Sequence, residues 1–157
     1  MIPDIGLLAT GIALLSATTA LGLALYAYRT SRQTRPLPLH WIESARRATM
    51  VTGVSLTLAV LSLAYALLTD DFSLKYVANV SYQDMSPLLK ITALWAGQAG
   101  SLLIWSWLMA ILVCLVVIHR REQDIDWLPP VIVVTMGTLL FFISLNLIAA
   151  NPFHRFD

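Results

Sequence analysis

Residues Lys90–Trp107, KITALWAGQAGSLLIWSW, lie inside the longest apolar run of the chain, and their reading decides the rest. Three tryptophans, two glycines and one glutamine fall between Trp95 and Trp107. On a helix of 3.6 residues per turn they sort by face. Ala93, Gly97, Gly100 and Ile104 fall on one side, a face small enough for another helix backbone to approach closely. Trp95, Gln98, Leu102, Trp105 and Met109 fall on the other, a row of large surfaces around one amide. The expectation is a transmembrane helix shaped on both faces, with helix packing on the first. Gln98, placed in the apolar zone, requires a polar partner, because an unpaired amide there is costly.

The run has company. Of the 157 residues, 58% are hydrophobic and only 12% charged, which excludes an ordinary soluble domain. Segments at about Ile5–Tyr28, Ala48–Leu68, Ile91–Ile118 and Val131–Ala150 each meet the roughly 20 residues that a spanning helix needs. The fold class expected is an all-α membrane protein with four transmembrane helices in one membrane domain over residues 1–157, part of a larger bundle. The third segment, at 1.5 Å per residue, would reach about 42 Å, well beyond a hydrocarbon core of about 30 Å. It must tilt, bend or emerge, and Gly97 and Gly100 are the places for a bend.

Charge sets the expected orientation. Arg29, Arg32, Arg35, Arg46 and Arg47 lie between the first two spans, and Arg120 and Arg121 between the last two. The positive-inside bias places both loops in the cytoplasm and both termini outside. Met1–Asp4 lacks a basic region, so the first span reads as an uncleaved anchor. Pro36 and Pro38 break the first loop, after which Trp41 and Ile42 are expected to face lipid on a short surface turn. The arginines suit anionic headgroups, and nothing points to nucleic acid. Thr18 and Gly22 form a small-xxx-small pair on the first span. The outer loop, Thr69–Leu89, keeps an apolar rhythm and reads as an interfacial segment between spans two and three, with Asp70 or Asp71 capping a helix and Pro87 opening the next. The lone Cys114 forms no CxxC or Cys/His spacing and is read as an apolar filler.

Several of these residues resemble the N-terminal region of the CcmF-type cytochrome c haem lyases. The resemblance rests on Phe72-Ser73, Tyr76-Val77-Ala78, Lys90, Trp95-Ala96-Gly97-Gln98, Gly100-Ser101-Leu102-Leu103, Trp105 and the closing Asn151-Pro152-Phe153. It covers about Asp70–Phe153 and reaches the first two spans by topology only. Where that family often has Glu, this chain has Ala99.

The resemblance implies a segment or split subunit of a haem lyase in a bacterial plasma membrane. Such a lyase joins haem, brought by a haem chaperone, to the CxxCH thiols of apocytochrome c. It also implies further lyase helices or subunits as partners, and a haem-facing wall at Trp95, Gln98 and Trp105. The axial ligands would lie elsewhere, since His40, His119 and His154 do not match the family's ligand positions. The alternative is a non-catalytic membrane subunit of a respiratory or photosynthetic complex, motivated by spans free of ionisable residues. A transporter comes third, because no inverted repeat is visible.

Overall fold

A computed structural model describes residues 2–33, 39–119 and 126–156. Arg35, Pro36, Pro38, Arg120 and Arg121 lie outside the described residues. Within them the chain forms α1 (Ile2–Gln33), α2 (Leu39–Leu68), α3 (Lys75–Val80), α4 (Pro87–Thr92), a single 3-10 turn at Ala93–Trp95, α5 (Gln98–Ile118) and α6 (Leu128–Ile148). Four of these, α1, α2, α5 and α6, are long and apolar enough to cross a bilayer. They close into a ring: α1 packs on α2 and α6, and α5 packs on the same two.

The tightest seam is α1 against α2, and alanine makes it. Ala9, Ala13, Ala17, Ala20, Ala24 and Ala27 recur every three or four residues and are all buried. Side chains this small let backbones approach, so van der Waals contact accumulates along the whole seam. Thr49, Thr52, Ser55, Leu56, Ala59 and Leu63 are among the residues that α2 buries. The hydroxyls are satisfied without help from outside: Thr49 and Thr52 donate to the carbonyls of Ala45 and Ala48, and Ser16 meets Thr52 across the seam at 2.9 Å. Thr18 and Gly22, expected at a packing face, point outward instead, and Gly22 has open space where a Cβ would stand. The alanine stripe occupies the seam in their place.

The expected surface turn before the second span does not form. Residues from Leu39 onward are already helix, and α2 runs for 30 residues without interruption. Ile42 is buried rather than turned to lipid, and Trp41 sits edge-on against Tyr26 of α1 at 5.0 Å. Glu43 takes a bidentate bond from Arg46 and a longer contact from Arg47, which ties the first turns of α2 together.

The third span departs most from a simple rod. Its expected 91–118 helix is two pieces, with Gly97 between them in an extended conformation (φ −111°, ψ 161°). Only Gln98–Ile118 remains as a span, about 31 Å long at 1.5 Å per residue, which matches the hydrocarbon core. The excess length folds into α4 and the 3-10 turn, and Pro87 opens α4 at its first helical position, as its fixed φ favours.

Both chain ends meet at this same end of the bundle. Arg155 pairs with Asp4 at 2.9 Å, Leu74 forms an antiparallel bridge with Arg155, and the Lys75 amide donates to His154 O at 3.0 Å. Phe153 is buried against Gly6, where any Cβ would strike the ring. The segment between α2 and α5, together with the tail, thus caps one end of the four helices.

Candidate functional site

The cap and the outward face of α5 bring together the residues singled out by sequence. Tyr76, on α3, is the centre. Its phenol O–H lies 2.9 Å from Ala93 O and 3.0 Å from Leu94 O, the carbonyls of the 3-10 turn, and its oxygen accepts from the Gly97 amide at 3.3 Å. One side chain therefore bonds backbone groups on both sides of the helix break, adding to the Ala96 amide that Ala93 O already accepts. Burial pushes the phenol above its ordinary pKa, against the pull of the Gly97 and Gly100 amides, so it keeps its proton at any physiological pH.

The glycines are spaced for this ring. A Cβ on Gly97 would stand 2.9 Å from Tyr76 Cε2, and one on Gly100 would collide with Leu94 O and the Tyr76 hydroxyl. Of the four residues expected on a small packing face, Ala93 and Gly100 are buried and Ile104 and Gly97 half-buried. The surface at Gly97 and Gly100 is occupied by Tyr76, with the Leu94 carbonyl of the 3-10 turn also against Gly100. Sequence reasoning named Tyr76 only as part of a family pattern and missed its role. The signal available was a tyrosine followed, across a loop, by glycines at 97 and 100.

Around Tyr76 the cap is polar and closed. Lys90 is buried, with its side chain 8% exposed, and pairs with Asp70 at 2.6 Å. Asp70 holds a left-handed conformation, φ 54°, and its second carboxylate oxygen is buried without a partner among the described residues. Neither Asp70 nor Asp71 caps a helix as expected. Asp71 instead accepts from the Ser73 amide and hydroxyl in a tight turn, and Leu74 holds the cap position of α3. Asn146, near the end of α6, donates to Ala99 O at 2.9 Å and so ties α6 to the first turn of α5.

The three residues expected to face haem lie outside this closed region. Trp95 is 56% exposed and Trp105 65% exposed, and the Gln98 side chain is exposed too. The side chains of Gln98 and Trp105 make no hydrogen bond within the described residues. A groove of about 360 Å³ runs along Trp95, Ser101, Ile104, Trp105 and Leu108. Trp107, two residues further along, turns inward, and its indole N–H donates to Thr57 of α2 at 3.0 Å.

What the Trp95–Trp105 face offers is an apolar wall. Among the described residues no three His, Cys, Asp or Glu side chains come together. His154 Nδ1 lies 2.7 Å from Arg155 O at the capped end. His40 stacks beside Trp41 and His119 closes α5, both at the opposite end. No pair of histidines converges on the Trp95–Trp105 face.

Known proteins resemble the whole chain. It is 35% identical over 160 residues to the cytochrome c-type biogenesis protein CcmF of Pseudomonas aeruginosa, covering 99% of this chain and 23% of that protein. The corresponding protein of Escherichia coli is 31% identical with the same coverage. A solved structure named cytochrome c heme lyase CcmF superposes with a TM-score of 0.86 at 30% identity, over 100% of this chain and 25% of that one. No family model matches the sequence. The chain thus spans about a quarter of the length of the relatives it matches.

Proposed function

The chain belongs to the CcmF-type family of cytochrome c biogenesis proteins, and we propose that it is the N-terminal scaffold of a haem lyase, as a segment or as a split subunit. In this reading it is a multi-pass protein of the bacterial inner membrane. The arginine-bearing end with Arg29, Arg46 and Arg47 lies in the cytoplasm, and the capped end faces the periplasm, where apocytochrome c is met. What carries the reading is the whole-chain likeness to a haem lyase structure, in a bundle whose Trp95–Gln98–Trp105 face is left open.

The chemistry attributed to the complete lyase joins haem to the CxxCH thiols of apocytochrome c. Among the described residues no ligand set for the iron comes together, and the contribution proposed for this chain is mechanical. Tyr76 fixes the break at Gly97 and thereby the angle at which α5 leaves the cap. That angle sets the direction in which Trp95, Gln98 and Trp105 face, and those three residues form one wall toward the haem-bearing remainder. A haem chaperone and apocytochrome c would meet the assembly at the capped end.

The test is to disrupt the chain in its native host and stain membranes for covalently bound haem. Loss of haem-stained c-type cytochromes, restored by re-expression, is the expected result. Unchanged c-type cytochromes in its absence would remove the proposal. In parallel, purification of the tagged chain from native membranes should recover haem-lyase sequence, with a haem absorption band in the eluate.

A further inference from the structure

Two outward faces of the bundle differ in a way that separates lipid from protein. On α1 between Ile5 and Thr19 the exposed large side chains are aliphatic, among them Leu8, Ile12 and Leu15, and the exposed hydroxyls of Thr18 and Thr19 are each bonded to a carbonyl one turn back. Nothing on that face needs a partner, which is what hydrocarbon requires. On α5 the exposed row runs Trp105, Leu108, Leu112. Trp105 is 65% exposed, and its indole N–H has no acceptor among the described residues. Seven residues separate it from Gln98 at the start of the span, so it lies about 10 Å inside a core of about 30 Å. That is deeper than the headgroup level at which tryptophan N–H groups find water or lipid oxygen. A donor held there by a rigid helix calls for an acceptor from another polypeptide. Trp107 illustrates the rule on the same helix, since its N–H does find one, on Thr57.

Beside Trp105 lies an apolar groove of about 400 Å³, lined by Trp105, Leu108, Met109, Ile111, Leu112 and Phe142, between α5 and α6. Resting on the haem-lyase reading, in which about three quarters of the protein's length lies beyond this chain, we infer that this groove seats a transmembrane helix from the remainder of the lyase. That helix presents a hydrogen-bond acceptor, a side-chain oxygen or a free backbone carbonyl, to Trp105. Haem then has only the shallower part of the wall, at Trp95 and Gln98, and the groove at Leu112 is filled by protein.

Photo-crosslinking in native membranes tests this with the whole assembly in place. A photoreactive residue at Leu112 should yield crosslinked peptides identified by mass spectrometry as haem-lyase sequence outside residues 1–157, and one at Leu15 on α1 should yield lipid adducts only. Trp105→Phe, which keeps the ring and loses the N–H, should lower recovery of the lyase remainder several-fold while leaving the isolated chain folded by circular dichroism. Lipid or haem adducts at Leu112, in membranes where c-type cytochromes still mature through this chain, would overturn the inference and leave the lyase reading standing. Full recovery with Trp105→Phe would overturn the assigned hydrogen bond. If c-type cytochromes mature without the chain, it is the lyase reading that falls, whatever Leu112 captures.

Discussion

The α1–α2 seam and the cap around Tyr76 hold by opposite means. The seam is a long repetition of one weak device, alanine against a small-residue face, and no single atom in it is indispensable. The cap is short and depends on individual atoms: one phenol bridging a helix break, one buried ion pair, one ring seated over one glycine. The contrast teaches that membrane packing tolerates a polar deletion and resists added bulk. A polar cap is vulnerable to both, because each of its groups is desolvated and has few substitutes.

Added bulk at the cap should do the most damage. Gly100→Ala sets a methyl against the Leu94 carbonyl and the Tyr76 hydroxyl, and the first of these is backbone that cannot turn aside. The expected loss is about 3 kcal/mol, the upper part of the range for overpacking. It would be measured as reduced resistance to SDS or urea unfolding in micelles. A Gly22→Ala control, with open space around it, should be silent.

Breaking the ion pair comes next. Lys90→Met leaves Asp70 as a carboxylate with one oxygen already unpartnered. Full burial would make the loss 3–5 kcal/mol, but the Asp70 side chain is 26% exposed and the expected loss is about 2 kcal/mol. The double variant Lys90→Met/Asp70→Asn should recover much of it, since the uncompensated charge is gone. Recovery separates a charge effect from lost packing of the lysine stem.

How much of this contrast was legible follows from periodicity. The spans were legible because hydropathy is summed over some twenty residues and survives local error. Length showed that a helix from Ile91 to Ile118 had to tilt, bend or emerge, and of the two glycines offered for a bend it breaks at Gly97. The alanine stripe was present at 3.6-residue spacing in the sequence, yet Thr18 and Gly22 drew the packing expectation. Both motifs have small side chains, and only the partner helix decides which face is used. The surface turn at Trp41 failed because nothing after Leu39 stops a helix, and Ile42 is buried as α2 runs on without a break.

The cap was least legible. Tyr76 reaches carbonyls 17 and 18 residues away across a loop, and no period links them. Asp70 offered the residue type of a helix cap, and tertiary contact with Lys90 took it elsewhere. Gln98 is the opposite case, exposed on the described bundle. A polar residue in an apolar run suggested a buried partner, while the amide buried in the described bundle is Asn146, which holds Ala99 O.

The tyrosine itself gives a finer measure. Tyr76→Phe keeps the ring that fills the space over Gly97 and Gly100 and removes only the oxygen. Leu94 O then loses its donor and the Gly97 amide its acceptor, while Ala93 O keeps the Ala96 amide. An orphaned buried group costs about 1–3 kcal/mol, and because Gly97 is only half-buried the expected loss lies in the lower half of that range. The direct readout is amide hydrogen exchange, which should quicken at Gly97 and Gln98 and stay unchanged in the middle of α2.

The smallest effect is predicted for a polar contact that crosses the seam. Ser16 Oγ meets Thr52 Oγ1 at 2.9 Å, but each hydroxyl also has a carbonyl on its own helix, Ala13 O for Ser16 and Ala48 O for Thr52. Ser16→Ala therefore strands no donor, because Thr52 still gives its proton to Ala48. Interhelical hydrogen bonds of this kind within membranes average about 0.6 kcal/mol, and the loss should be no larger. Replacing serine by alanine also extends the surface that makes the seam, which offsets part of it. A Ser16→Ala variant more damaging than Tyr76→Phe would mean that the seam, like the cap, depends on a single polar atom. The division between a bulk-limited seam and an atom-limited cap would then be wrong.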